Sequence, residues 1–300
     1  MNIIGKKYWY FAISLVVIIP GIISLALFGL NLSIDFTGGS RITLAFPEKI
    51  EQQTVSKIKS SLQKQKIEVG GIEKSNNLVF VRTSPIDQDR NNKFINNLSQ
   101  EFKFKETEFE TIGPTIGGET TSNAVKAVIL ASILIVLYIT WSFRSVPKPA
   151  SSFRFGVCAI IALVHDVLVV AGTFSILGHF FKVEVDSLFV TAILTIIGFS
   201  VHDTIVVFDR IRENLRRTSG SFANIVNESI LQTLDRSLNT SLTVVLVLVA
   251  LLIFGGESIR WFVVALLIGI ISGTYSSIFN AAPLLVLWHE LSLRRHSGER

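Results

Sequence analysis

The chain has 300 residues, 49% of them hydrophobic and 17% charged, with 22 Phe, a single Cys and a net charge of +5. The apolar residues lie in long blocks, which excludes a soluble globular enzyme and predicts a polytopic membrane protein. The one cysteine, Cys158, sits inside such a block, so it excludes an intrachain disulfide and reads as packing. The basic residues flank apolar blocks without interleaved aromatics, which argues against nucleic acid as a partner and for a topology signal.

Windows of about 20 apolar residues predict six spans: residues 8–30, 124–143, 155–177, 187–208, 237–254 and 259–288. Lys6-Lys7 ahead of the first resembles the start of a signal peptide. The apolar run that follows is longer than an h-region of about 7 to 15 residues, and no clear small-x-small site ends it. An uncleaved helix is therefore expected. Lys6, Lys7, Arg144, Lys148, Arg154, Arg210, Arg212, Arg216, Arg217, Arg236, Arg294 and Arg295 cluster on one side, against Lys182 and Arg260 on the other. With six spans, this bias predicts that both termini, including the tail 291–300, are cytoplasmic.

Residues 31–123 form the only sizeable polar segment, expected on the periplasmic side. Its periodicity predicts strand 41–46, helix 51–65, strands 67–73 and 78–83, helix 87–102 and strand 104–112, with turns at Pro47-Glu48, Asn76-Asn77 and Ser84-Pro85. That βαββαβ order predicts a small ferredoxin-like α+β domain between the first two spans. Val55, Ile58 and Leu62, and Phe94, Ile95 and Leu98, carry the helical spacing. No nucleophile elbow or paired-acid site appears in it, so no enzyme is expected.

Two glycine-bearing joints flank the domain: Asp35-Phe36-Thr37-Gly38-Gly39 after the first span, and Gly113-Pro114 with Gly117-Gly118 before the second. They read as hinges or as ordinary tight turns. Asp35 reads as a turn or cap residue.

Within the spans, Asp203 is the foremost functional candidate, because a carboxylate near the centre of a spanning helix costs roughly 2.5 to 3.5 kcal/mol. The alternative is snorkelling to the interface. Ser200, Asp203 and Thr204 share one face by their spacing, and Arg236, Asn239, Thr240 and Thr243 share another in the fifth span. A pair between Asp203 and Arg236 in one state, and a desolvated Asp203 in another, would suit a proton carrier. His202 offers a second titratable group or an inter-helix hydrogen bond. His165-Asp166 lies near the middle of the third span and reads as a relay or, more simply, as inter-helix bonding, with Thr195 and Ser200 as available partners. Residues 209–217 predict a solvated helix laced by Asp209, Arg212, Glu213, Arg216 and Arg217. Gly269, Gly273 and Ser276 form a small-residue seam for close packing, on this chain or on a partner. Nothing in the sequence calls for a metal or a cofactor.

Several of these strings resemble the SecD/SecF protein-translocase family of the resistance-nodulation-division superfamily, on its SecF side. They are Ser33-Ile34-Asp35-Phe36-Thr37-Gly38-Gly39, Val164-His165-Asp166, the stretch 198–214, the stretch 233–243, and 271–279 in the last span. The string Asp203-Thr204-Ile205-Val206-Val207-Phe208-Asp209-Arg210-Ile211-Arg212-Glu213-Asn214 is the most specific of them. His202 departs from the pattern, which commonly has Asn there. The resemblance implies an accessory role in protein export across the bacterial inner (plasma) membrane, driven by protons. It implies a separate SecD chain, the SecYEG channel, YajC, a translocating preprotein and membrane lipid as partners. It also implies that Asp203 and Arg236 belong to a proton pathway.

Two other classes fit parts of the sequence. A proton-coupled exporter half of the same superfamily would move a lipid or small molecule, but some 90 soluble residues leave little room for a pocket of about 300 to 1,000 Å³. An intramembrane aspartyl protease would use Asp166 and Asp203, which sequence places at different depths, whereas paired carboxylates must share a proton.

Overall fold

The computed structural model describes residues 2–48, 50–75, 77–144, 146–147 and 150–297. Asn76 of one predicted turn, Lys148, the side chain of Arg295 and residues 298–300 lie outside the described residues. In chain order the elements are α1 (Lys7–Phe28), α2 (Ile34–Thr37), β1 (Gly39–Ala45), α3 (Gln52–Lys64), β2 (Val69–Ser75), β3 (Leu78–Thr83), α4 (Gln88–Ser99) and β4 (Lys105–Ile112). The long helices follow: α5 (Pro114–Ser142), α6 (Ser152–Phe181), α7 (Ser187–Arg217), α8 (Phe222–Phe254), α9 (Arg260–Ser276) and α10 (Ala282–Ser297). Among the described residues, six helices are long and apolar enough to cross a membrane, the last being α9 and α10 together. The chain divides into a helical unit (residues 1–30, 127–183 and 188–300) and a second unit (residues 31–126 and 184–187).

In the helical unit, α7 has 31 residues and α8 has 33. At about 1.5 Å per residue both exceed a hydrocarbon core of about 30 Å. The surplus is charged: α7 continues through Asp209–Arg212 (2.5 Å) and Glu213–Arg217 (3.0 Å) ion pairs, as the spacing predicts. The predicted start of the fifth span at Ser237 lies mid-helix, because α8 begins at Phe222, where the Ser221 hydroxyl accepts from the Asn224 N–H. α1 and α6 meet at Gly21 and Gly172; a Cβ on Gly172 would fall 2.6 Å from the Gly21 Cα. Above that contact the Ser24 and Ser175 hydroxyls bond at 2.8 Å. At the other end of α1, Lys7 pairs with Glu290 of α10 at 2.6 Å. Between α9 and α10, Ser277–Ala281 form a π-helical turn, a local widening that the apolar pattern does not announce.

The second unit is a four-stranded antiparallel sheet of order β2-β3-β1-β4 with α3 and α4 on one face, the ferredoxin-like order. Ile42, Leu44, Val79 and Val81 from the strands meet Ile58, Leu62, Phe94 and Leu98 from the helices in one apolar core. The alternation along β3 and the three-and-four spacing in α3 and α4 are what place these residues together.

The joints are packed in this unit. Gly38 and Gly39 have φ of +72° and +133°, backbone that side chains rarely adopt. A Cβ on Gly38 would fall 2.8 Å from the Pro114 Cα, and one on Gly117 would fall 2.8 Å from the Gly38 nitrogen. Pro114 is the first residue of α5, where its missing N–H costs nothing, and Gly113 precedes it. The second joint is thus the start of a helix, and the glycines serve close approach. Asp35 caps α7: its Oδ2 accepts from the Ser187 N–H at 2.8 Å.

Candidate functional site

Two carboxylates lie buried inside the helical unit, Asp166 on α6 at 1% exposure and Asp203 on α7 at 2%. Their surroundings differ. Asp166 Oδ2 accepts from Ser200 of α7 (2.5 Å) and Ser276 of α9 (2.7 Å), and its Oδ1 accepts from Ser272 of α9 (2.8 Å). The neighbouring His165 Nδ1 stands 2.9 Å from the same Oδ1. One carboxylate therefore takes hydroxyls from two other helices and a ring nitrogen from its own. The His165 Nε2 is buried and unpartnered among the described residues.

Asp203 is held loosely. Its Oδ2 lies 3.4 Å from Thr274 of α9 and 3.5 Å from Ser241 of α8, while those two hydroxyls bond each other at 2.5 Å. Each hydroxyl has one proton, and the short mutual bond consumes one of the two. Asp203 thus receives at most one hydroxyl proton, at a long distance. Its Oδ1 is 3.8 Å from the Nδ1 of His202, whose side chain is 63% exposed.

A third set lies beside them. Thr204 and Ser277 bond at 2.8 Å, and Ser277 also donates to the Ser200 carbonyl at 3.1 Å. The hydroxyls come from a few turns of α9 and the π-helical turn, where Ser272, Thr274, Ser276 and Ser277 project toward α6, α7 and α8. Small residues make the approach possible. A Cβ on Gly273 would fall 3.0 Å from that of Ser200, and one on Gly269 would overlap Ile196, so the predicted seam packs against α7 of the same chain.

The sequence brought Ser200, Asp203 and Thr204 onto one buried face, and the structure places them so. It does not bring Arg236 to Asp203. On α8, Ser237 and Ser241 turn inward, and Arg236, about 100° away on the helix, is exposed with Asn239, Thr240 and Thr243. No described acidic side chain pairs with Arg236. Ser200 is a partner of Asp166 as the sequence allowed, whereas Thr195 is exposed and bonds the Thr191 carbonyl instead. Ser241, Ser272 and Thr274 lie in strings that carry the family resemblance, yet they do not stand out there as partners of the acids, because isolated hydroxyls in an apolar run are common in packed helices. Ser272 lies four residues before Ser276, so these two share the face of α9 that meets Asp166, and that spacing was the available signal. Ser276, expected as a packing residue, is a direct partner of Asp166.

Neither carboxylate shares a hydrogen with the other: each has its own hydroxyl set, unlike a protease dyad. No cluster of three or more His, Cys, Asp or Glu able to hold a metal occurs among the described residues.

The pattern described as protein export membrane protein SecD/SecF, C-terminal, matches residues 92–291, which include both carboxylates and every hydroxyl around them. The chain belongs to the SecD/SecF family. The SecD/SecF GG motif matches residues 23–46, which hold Gly38 and Gly39. SecF of Thermobaculum terrenum is 48% identical over 98% of this chain and 96% of its own length. SecDF of Bacillus subtilis is 38% identical over 98% of this chain but only 39% of its own length. The crystal structure of SecDF from Thermus thermophilus, a translocon-associated membrane protein, superposes with a TM-score of 0.84 at 37% identity, covering 96% of this chain and 38% of that one. The chain spans about two fifths of these SecDF proteins and corresponds to their SecF part. It is a multi-pass membrane protein.

Proposed function

We infer that this chain is an accessory subunit of Sec protein export that uses the proton-motive force, together with a separate SecD chain, to promote preprotein translocation through SecYEG. The single observation that carries the coupling is the contrast between the two buried acids. Asp166 accepts from three hydroxyls and stands against the His165 ring nitrogen, whereas Asp203 is buried with almost no compensation. A buried carboxylate held this loosely changes its environment when a proton arrives or leaves, and moving one charge through 100 mV supplies about 2.3 kcal/mol. SecDF proteins that carry both parts in one polypeptide support SecD as the partner of this chain. The exposed Arg236, Asn239, Thr240 and Thr243 face of α8 fits such a partner, which would supply the acid that Arg236 lacks here. In this reading the protein lies in the bacterial inner membrane with both termini cytoplasmic, residues 31–123 periplasmic and YajC as a further neighbour. It acts as a coupling subunit and catalyses no covalent chemistry.

The test is preprotein translocation into inverted membrane vesicles containing this chain, SecD and SecYEG, with and without a proton gradient. Asp203→Asn is expected to lose the gradient-dependent increment and to keep the basal, ATP-driven rate. Full retention of the increment would overturn the assignment.

A further inference from the structure

Five residues, 182–186, connect α6 to α7, and the last part of this connection belongs to the second unit. Residues 184–187 cluster with the sheet although they lie between two spans. Three contacts account for this. Leu32 and Val185 form a parallel bridge, with the Ser33 N–H donating to the Val185 carbonyl (2.9 Å) and the Val185 N–H to that of Asn31 (2.7 Å). Asp35 accepts from the Ser187 N–H. Glu184 pairs with Arg82 of β3 at 2.7 Å, and the same guanidinium nitrogen donates to the Leu32 carbonyl at 3.0 Å.

The sheet is built to need that glutamate. Arg82 on β3 stands directly opposite Arg41 on β1, on the face away from α3 and α4, and like charges so placed repel. Arg41 is neutralised within the sheet by Glu110, its partner on β4, at 2.7 Å. On its other side Arg82 has no charged residue directly opposite it. The residue opposite it on β2 is Gly71, beside a bulge between Val69 and Gly71. The Arg82 side chain runs over these glycines, its Nε 3.5 Å from where a Gly70 Cβ would be. The countercharge comes from the α6–α7 connection. Such a half-buried pair adds little net stability, but pulling the glutamate away strands one arginine against another, so the pair fixes position.

We propose that Arg82 and Glu184 are coupling residues that tie the α6–α7 connection to the sheet, so that displacement of the helices carrying Asp166 and Asp203 is passed to the soluble unit. The proposal rests on the proton-coupled export reading above. α7 is continuous from Ser187 to Asp203, 16 residues or about 24 Å away, and a helix transmits a shift along its axis with little loss. The pair acts through the connection, at a distance from both buried acids.

The experiment uses the same vesicles with the full chain, SecD and SecYEG. Arg82→Gln and Glu184→Gln are each expected to cut the gradient-dependent increment at least threefold while leaving the basal rate and the yield of the SecD complex unchanged. The charge exchange, Arg82→Glu with Glu184→Arg, and an oxidised Leu32→Cys/Val185→Cys link placed in the Arg82→Gln background, are each expected to restore it. Asp203→Asn runs alongside. If Asp203→Asn loses the increment and both glutamine variants keep it, the coupling role is wrong and the export reading stands. If Asp203→Asn keeps the increment, the underlying reading has failed instead. Loss of increment in the glutamine variants that neither the exchange nor the cross-link restores also overturns the proposal.

Discussion

Ser200 donates to the Asp166 carboxylate at 2.5 Å from a position less than one helical turn before Asp203. The two acids are therefore mechanically linked through one turn of α7, while their hydroxyl partners are separate. Asp166 binds α6 to α7 and α9. Asp203 faces α8 and α9 with weak bonds. A fixed anchor beside a loosely held acid is an arrangement in which one group keeps the bundle together while the other responds.

Asp166→Asn should separate these roles. The amide replaces one acceptor by a donor, so at least one of the Ser200, Ser272 and Ser276 hydroxyls must turn away. Hydrogen bonds between membrane helices average about 0.6 kcal/mol and reach about 1.7, and a loss of roughly 1 to 3 kcal/mol is expected here because the acceptor is buried and takes three hydroxyls at once. Thermal unfolding of the detergent-purified chain checks this: Asp166→Asn should unfold earlier, whereas Asp203→Asn should not. An unfolding temperature untouched by Asp166→Asn would show that the anchor carries no load.

Gly269 of α9 faces Ile196 of α7 so closely that any Cβ must displace that side chain. Gly269→Ala should destabilise by about 1 to 3 kcal/mol, the usual cost of overpacking. Ile196→Val in the same chain should recover part of it, because the smaller residue withdraws one methyl from the overlap. Unfolding in the same detergent, read for both single variants and the double, measures the coupling.

Glu184 gives the second unit a pH dependence whose sign follows from its surroundings. Burial holds its carboxyl above the ordinary glutamate range, the Arg82 and Arg41 guanidiniums pull it back, and Asp186 and Asp35 raise it. The folded state thus binds this proton more tightly than the unfolded chain does. Its stabilising contribution is complete below the unfolded value, near pH 4.3, and is lost as pH rises through the folded value. Amide exchange along β3 should accelerate over that window beyond the intrinsic chemical rate, and Glu184→Gln should abolish the excess. An excess that persists in Glu184→Gln would assign the effect to another group.

Much of this architecture was legible in the sequence because it rests on period and length. Six apolar blocks gave six helices, and the spacing of Ile58 and Leu62, or Phe94 and Leu98, gave two helices on one sheet. The buried face of Ser200, Asp203 and Thr204 followed from the same spacing. What escaped was long-range. Nothing local to Arg236 says that Ser237 and Ser241 would take the inward face of α8. Nothing local to Glu184 says that it answers Arg82, some hundred residues earlier. The π-helical turn at Ser277–Ala281 escaped because it holds no Pro or Gly to mark a break, so its sequence is compatible with an unbroken helix.

The outward polar face of α8 yields the last prediction. Arg236, Asn239, Thr240 and Thr243 are exposed on this chain, in a helix whose other outward residues include Leu242, Leu246 and Val247. Lipid does not compensate a guanidinium or an amide, so in the assembled complex this stripe should be covered by a helix offering an acid and hydrogen-bond partners. Asn239→Cys, with Cys158→Ser to remove the buried native thiol, provides the probe. The introduced thiol should react with a membrane-permeant maleimide when the chain is produced alone, and react at least tenfold more slowly when SecD is co-produced. Leu246→Cys, farther along the helix beyond the polar stripe, serves as the comparison. Equal labelling of Asn239→Cys with and without SecD would mean that the stripe faces something else, and the acid that answers Arg236 would have to be sought outside the SecD interface.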